Sequence, residues 1–374
     1  MALAEEPTSR WRAVPVPSLS GLTVEWAGRD GYVLSRRAAL YRTCDPAVPF
    51  ERLGHVPLPP PLRLGARIEL VRRALRLAYY NVVLLSDERI LATFNRSVAL
   101  ITPEGTRPVA GLERPFRVLR GGCALRADGS AWFGEYLILP ELTPLHVYRL
   151  AGGAEQAEIV HVFPAGFARH IHGLYSDPVD GSLWCLTGDH AEHARIMWSP
   201  DGLERFVTVG RGDESWRAVS MQFRGDAVYY ATDAQLRQNW IYRIDRSSGT
   251  RREVAPLDGP VYYSHRVGDD LFFAVSAELG SGGRGRSATL WHLDPDDRCS
   301  RVASFAKDRW PVAQFLPGTL SFPQGSGDGS SFYFSGVALS GIGGTTFRCS
   351  PIDDRDAAQA VAPEQTQPPG MPPV

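Results

Sequence analysis

Lysine is almost absent from this sequence: of 40 basic residues, Lys307 is the only lysine and the rest are arginine. Long apolar runs are absent too. No window approaches the roughly 18–20 apolar residues of a membrane span. The start, Met1-Ala-Leu-Ala-Glu-Glu, has neither the basic nor the apolar region of a secretory signal. The five cysteines (Cys44, Cys123, Cys185, Cys299 and Cys349) are odd in number, scattered and without CxxC or CxxH spacing, so they define neither a disulfide framework nor a zinc site. A net charge of −1 excludes a global field that steers the chain to nucleic acid or anionic lipid. These absences set the expectation of a cytoplasmic protein with no nucleic-acid and no membrane partner. No serine lies in a GxSxG elbow. The run Gly280-Ser-Gly-Gly-Arg-Gly-Arg-Ser has the glycines of a phosphate cradle but neither its lysine nor its following helix, and reads as a flexible blade loop over a channel mouth.

What is abundant is turn chemistry, with 37 Gly and 29 Pro, enough to punctuate many short strands. Residues 1–19 read as an N-terminal arm, in which Trp11-Arg-Ala-Val-Pro-Val can add an edge strand. Residues 353–374, rich in Pro, Ala and Gln, are expected to be disordered. Between them a pattern recurs seven times: an acidic or glycine turn followed by an aromatic or aliphatic strand. The copies begin at Asp30-Gly-Tyr, Asp87-Glu-Arg, Asp128-Gly-Ser, Asp180-Gly-Ser, Gly225-Asp-Ala, Gly268-Asp-Asp and Asp328-Gly-Ser. Each has an apolar run before the turn and further short strands after it. Four short strands per repeat, at spacings of roughly 40–60 residues, define a propeller blade, whose sheet is covered only by its neighbours. The expectation is an all-β chain with a single β-propeller over residues 20–352, built of seven four-stranded blades. Six blades is the alternative, because the first and last copies are the least regular. The stretch Ala66–Tyr80 has mixed period and is either a helical insertion or the inner strand of blade two.

Neighbouring strands of a blade run in opposite directions, so residues opening the inner strands and residues closing the second strands meet around one mouth of the channel. The openings are Phe116-Arg117, Arg169-His170-Ile171-His172, Trp216-Arg217 and Tyr262-Tyr263. The closings are Gly134-Glu135-Tyr136, Gly188-Asp189-His190, Thr232-Asp233 and Ala277-Glu278. Four consecutive blades thus place a carboxylate at one position and a cation, imidazole or aromatic opposite it. Blades one, two and seven carry Ser35-Arg36, Asn95-Arg96 and Ser335-Gly336 instead, an asymmetry that a site requires and a scaffold does not. The competing reading of each acid is a loop cap or an ion pair with a neighbouring arginine. His170 and His172, at i and i+2 on a strand, share one face, as metal binding requires, with His190, His193, Asp189 and Glu135 as further ligand candidates. The same pair serves equally to hydrogen-bond a sugar or a carboxylate. No cofactor is expected, with a divalent metal as the alternative. Trp132 and Trp184 occupy equivalent second-strand positions and read as packing, whereas Trp216 and Tyr262 open inner strands and read as stacking platforms.

Ser199-Pro-Asp201-Gly-Leu-Glu-Arg-Phe206 resembles an Asp-box, Ser-x-Asp-x-Gly-x-Thr-Trp, with its glycine and threonine positions replaced. With His170-Ile-His-Gly, Trp216-Arg-Ala-Val-Ser and Pro260-Val-Tyr-Tyr-Ser, residues 128–280 resemble the BNR-repeat, sialidase-like propeller proteins. That resemblance implies a carbohydrate-related site at the mouth, with arginines holding a carboxylate (Arg117, Arg169, Arg217), a tyrosine nucleophile paired with glutamate (Tyr262 or Tyr263 with Glu278) and an aspartate acid/base (Asp189 or Asp233). Three functions follow. The first is hydrolysis of an acidic or decorated glycan, with Glu135, Asp189, Asp233, Glu278 and Tyr262 doing the chemistry and Arg117, Arg169, His170, His172, Trp216, Arg217 and Tyr263 holding the ligand. The second is a propeller-type polysaccharide lyase using His, Tyr and Arg. The third is a non-catalytic propeller that binds a glycan, a small anion or, through its faces, a protein partner.

Overall fold

The computed structural model describes residues 9–352 apart from 30, 47–49, 86, 140, 203–204 and 279–284. The turn residue Asp30, the first eight residues of the arm, part of the Asp-box run, most of the glycine-rich loop and the tail from 353 lie outside the described residues. These form seven four-stranded antiparallel sheets. Blade one runs Thr23–Gly28, Gly31–Arg36, Ala39–Thr43 and Glu51–His55, and blade two Tyr79–Leu84, Ile90–Phe94, Ser97–Thr102 and Gly105–Pro108. Blade three runs Cys123–Leu125, Ala131–Gly134, Leu145–Leu150 and Glu158–Phe163, and blade four His170–Ser176, Leu183–Gly188, Arg195–Ser199 and Val207–Arg211. Blade five runs Ala218–Phe223, Ala227–Thr232, Asn239–Asp245 and Arg251–Leu257, and blade six Val261–Val267, Asp270–Val275, Ser287–Leu293 and Cys299–Ala306. The chain is an all-β, seven-bladed propeller.

Blade seven is assembled from both ends of the chain. Its inner three strands are Thr319–Ser321, Phe332–Val337 and Thr346–Pro351, and its outermost strand is Trp11–Pro15. That strand pairs from Trp11 opposite Pro351 to Pro15 opposite Phe347. The ring is thereby closed by a strand ladder, and Trp11 meets Phe272 of blade six edge-on with ring centroids 4.8 Å apart. Second strands such as Leu271-Phe-Phe-Ala-Val are buried at every position because both faces of each blade are covered. The apolar layers between blades are the core: Phe116, Phe133 and Tyr148 stack in one, and Phe272, Phe332, Phe334 and Phe347 fill another.

The recurrent Asp-Gly-Ser turns have one geometry. Asp128, Asp180 and Asp328 each accept the N–H two residues on, at 2.9, 2.9 and 2.8 Å. Gly129, Gly181 and Gly329 follow at φ near +75°, a left-handed conformation that side chains disfavour. The mixed-period stretch divides: it contributes α2 (Glu69–Ala74), which with α1 (Pro60–Gly65) just upstream forms a helical insertion, and its end opens the inner strand of blade two at Tyr79. A third helix, α3 (Val312–Phe315), precedes blade seven. Arg73 of α2, 6% exposed, donates to the Phe315 carbonyl at 3.0 and 2.7 Å and pairs with Asp308 at 2.6 Å. The two linkers are thus fastened together beside the channel.

Candidate functional site

Inner strands begin and second strands end around one mouth of the channel, and there a cavity of about 440 Å³ opens. Asp189, Asp233 and Glu278 line it from three successive second-strand ends. His172, Arg217, Tyr262 and Tyr263 line it from inner-strand starts, and Arg72, Arg73 and Arg76 from the helical insertion. A second cavity, about 690 Å³, lies at the other end of the channel among Tyr175, Met221, His265 and Phe322. The two share Arg120 and Tyr263. Arg120 is fixed there by Glu25 at 2.7 Å and by the Tyr79 carbonyl at 2.9 Å.

The heart of the mouth is a network centred on Arg217, which is buried. Its guanidinium reaches Asp233 at 2.9 Å, the Asp189 carbonyl at 2.9 Å and the Asp189 carboxylate at 3.5 Å. Burial opposes the Arg217 charge, and the two aspartates more than offset it, so its pKa is raised. Asp233 is only 2% exposed, and one of its carboxylate oxygens has no hydrogen-bond partner among the described residues. Burial pushes its carboxyl up to about 7 against the pull of Arg217, with Glu278 and Asp189 adding repulsion. Tyr262 donates to Glu278 at 2.5 Å. Burial, then the Asp233 and Glu278 charges, raise the Tyr262 pKa well above the ordinary phenol value, so its proton stays on.

Beside this network Asp189 sits at φ +125°, a strained backbone for a residue with a side chain, and this turns its carboxylate toward the histidines. His170 Nε2 is 3.1 Å from Asp189, His172 Nε2 is 3.8 Å from it, and the two Nε2 atoms are 3.2 Å apart. Burial opposes the Asp189 charge, but hydrogen bonds from His170 and His172, when a proton sits on Nε2, outweigh it and hold its carboxyl well below the usual range. Burial lowers the His172 pKa. Gly188 makes room for the ring: a Cβ there would meet His172 Cε1 at 2.6 Å.

Of the residues singled out from sequence, Asp189, Asp233, Glu278, Tyr262, Tyr263, His172 and Arg217 come together at the cavity, and His170 stands directly behind. Four do not join. Glu135 turns into its own blade, fully buried, and is held by Arg114 at 2.9 and 2.5 Å, the His146 N–H at 3.0 Å and Tyr148 at 3.2 Å. Its carboxylate is therefore committed away from the channel, and Tyr136 lines the mouth in its place. Trp216 is no platform: its ring lies under the Arg251 guanidinium at 3.7 Å and stacks toward Tyr230. Arg117 lines a small neighbouring cavity with Arg96, and its backbone bridges Tyr136. Arg169 stays 4.0 Å from the outer oxygen of Asp189 and does not line the cavity. The three-arginine clamp is therefore not assembled. Missed from sequence were Tyr136, Tyr80, Gln235 and Arg76. Strand parity beside Glu135 was the available signal for Tyr136. Arg76 sits in a linker, where no blade rule reaches.

Fold and site together define a seven-bladed propeller with a charged cavity at one channel mouth. Neither a family model nor a curated protein matches the sequence. Solved structures do match in fold. An oligogalacturonate lyase in complex with manganese superposes with a TM-score of 0.58 at 11% identity, covering 95% of this chain and 96% of that one. An oligogalacturonate lyase from Vibrio parahaemolyticus gives 0.61 at 10% identity, covering 94% and 96%. A chain of a mitotic checkpoint complex gives 0.52 at 11% identity, covering 95% and 98%. At such identities the likeness is one of fold.

Proposed function

We propose that the protein is a propeller lyase that cleaves an acidic, uronate-containing oligosaccharide by β-elimination in the cavity at the channel mouth. The observation that carries this reading is the convergence of Arg217, a buried Asp233 whose carboxyl ionises near pH 7, and a Tyr262 that keeps its proton, within one cavity. Arg217, assisted by Arg76 on the linker wall, neutralises the uronate carboxylate and so favours the carbanion that proton removal creates. Asp233, which lines the cavity, takes the proton α to that carboxylate. Its pKa of about 7 suits a general base acting near neutral pH. The electron pair forms the new carbon–carbon double bond, the bond to the leaving sugar oxygen breaks, and Tyr262 donates its proton to that oxygen. Two neighbours matched over nearly their whole length carry the name oligogalacturonate lyase, which supports an oligomeric uronate as the substrate class.

One contact favours a second reading. The short Tyr262–Glu278 hydrogen bond also suits a tyrosine nucleophile activated by a glutamate, the sialidase-like route to glycoside hydrolysis. The two reactions leave different products. The experiment is turnover of neutral, sialylated and uronate oligosaccharides by the wild type and by Arg217→Ala and Tyr262→Phe, each checked for an unchanged melting temperature. Uronate cleavage giving an ultraviolet-absorbing unsaturated end, lost in both variants, is the expected result. Reducing ends without unsaturation assign hydrolysis. Saturable binding without turnover overturns both and makes the mouth a binding site.

A further inference from the structure

The hydrogen bonds behind His170 and His172 fix which nitrogen of each ring carries the proton. His170 Nδ1 lies 2.9 Å from the Leu137 carbonyl, and His172 Nδ1 lies 2.7 Å from the Ala218 carbonyl. A carbonyl oxygen only accepts, so in both rings Nδ1 is the N–H. In the neutral rings both Nε2 atoms then carry bare lone pairs. Those lone pairs face each other at 3.2 Å, and an Asp189 carboxylate oxygen stands 3.1 and 3.8 Å away. Three electron-rich atoms converge on one point, with the two imidazoles 1% and 2% exposed. The arrangement is repulsive unless a proton or a metal cation occupies that point.

The spacing fits a metal ion. With metal–ligand bonds of about 2.1 Å, adjacent ligands stand roughly 3.0 Å apart in an octahedron and about 3.4 Å apart in a tetrahedron. Two of the three observed separations, 3.1 and 3.2 Å, lie between those values, and the third, His172 to Asp189 at 3.8 Å, is wider. Nδ1 donating to a backbone carbonyl is also the arrangement that orients metal-binding imidazoles and raises the basicity of the other nitrogen. Ring position is enforced from the other side by Gly188, whose missing side chain leaves the space that His172 fills. His172 and Asp189 both line the cavity, so the positions opposite them open toward it. The charge balance also tolerates a cation: Asp189, Asp233 and Glu278 stand there around Arg217.

We propose that His170 Nε2, His172 Nε2 and the Asp189 carboxylate form a binding site for one first-row divalent metal ion, with open coordination positions facing the channel mouth. The site does not depend on the reaction assigned to the cavity, because it is argued from the ligand geometry alone. Bound there, the metal adds a second positive centre beside Arg217 for an anionic ligand.

The test is direct binding on the intact protein. After chelation and dialysis, the wild type is titrated with Mn²⁺, Co²⁺ and Zn²⁺ by calorimetry, and retained metal is counted by mass spectrometry. The expected result is one ion per chain. Mn²⁺ pulsed electron paramagnetic resonance should show coupling to two imidazole nitrogens, and Co²⁺ should develop visible absorption. His170→Ala, His172→Ala and the conservative Asp189→Asn should each weaken binding by about 100-fold or more, beyond the 10–100-fold that loss of a supporting partner costs. His190→Ala, at an exposed neighbouring position, should bind as the wild type does. Sub-stoichiometric binding by the wild type, or spectra lacking nitrogen coupling, would overturn the proposal and leave a cluster bridged by protons. The spectra require no variant to fold, and absent metal with uronate turnover intact would reject the site while leaving the lyase reading in place.

Discussion

Asp233→Asn should make the protein inactive and, above neutral pH, more stable. The carboxyl of Asp233 ionises near 7 in the folded chain against an ordinary value of 3.8, a difference in proton affinity of about 10³ or roughly 4 kcal/mol. Below pH about 4 the carboxyl is protonated in both states and has no effect. Between about 4 and 7 the unfolded chain has released the proton and the folded chain retains it, so stability falls as pH rises across this window. Above 7 the folded protein carries the full penalty, even with Arg217 at 2.9 Å. An amide of the same shape never ionises and removes that penalty. At about 2.1 cal/mol/K of unfolding entropy per residue, a chain of 374 residues gains about 5 °C in Tm for 4 kcal/mol, so the rise at pH 8 should be about 2–5 °C. At pH 4 the two proteins should melt together. Paired thermal scans at the two pH values, with turnover measured at each, make the assay. Turnover should drop about 10²–10⁴-fold, and wild-type activity should rise with pH through about 7. A variant that is less stable at pH 8 would refute the reasoning and make Asp233–Arg217 a stabilising ion pair with no catalytic reserve.

Glu135→Gln tests the opposite kind of acid. It leaves Arg114 without its charge partner, and because Arg114 is partly exposed the expected loss is about 2–3 kcal/mol, read as a lower Tm with kcat of the folded enzyme unchanged. Gly188→Ala puts a methyl 2.6 Å from His172 Cε1, so it should cost about 1–3 kcal/mol by overpacking and weaken metal binding at least tenfold.

Much of the architecture is legible in the chain because its signals are local. An Asp-Gly-Ser triplet closes its own turn through the Asp side chain, and aromatic runs such as Phe332-Tyr-Phe need no distant information to declare a strand buried on both faces. The repeat of these signals sets the blade count. Strand alternation also carries chemistry to one end of the channel, and this is why Asp189, Asp233, Glu278, Arg217, His172 and Tyr262 were identifiable together.

Sequence by itself determined which strand ends meet at the channel mouth and which residue types they carry, since both follow from a periodicity the chain repeats. Only the tertiary structure decided which way each side chain turns there. Glu135 and Asp189 occupy the same blade position, yet one carboxylate is committed to Arg114 inside its own blade and the other faces two imidazoles. Arg76 reaches the cavity through a linker helix that Arg73 ties across to the Phe315 carbonyl and Asp308, residues more than 230 positions away in the chain. The lone pairs of His170 and His172 are aimed by carbonyls of neighbouring blades, Leu137 and Ala218. Long-range contacts of this kind fix rotamers and protonation through packing, and no pattern confined to one blade encodes them.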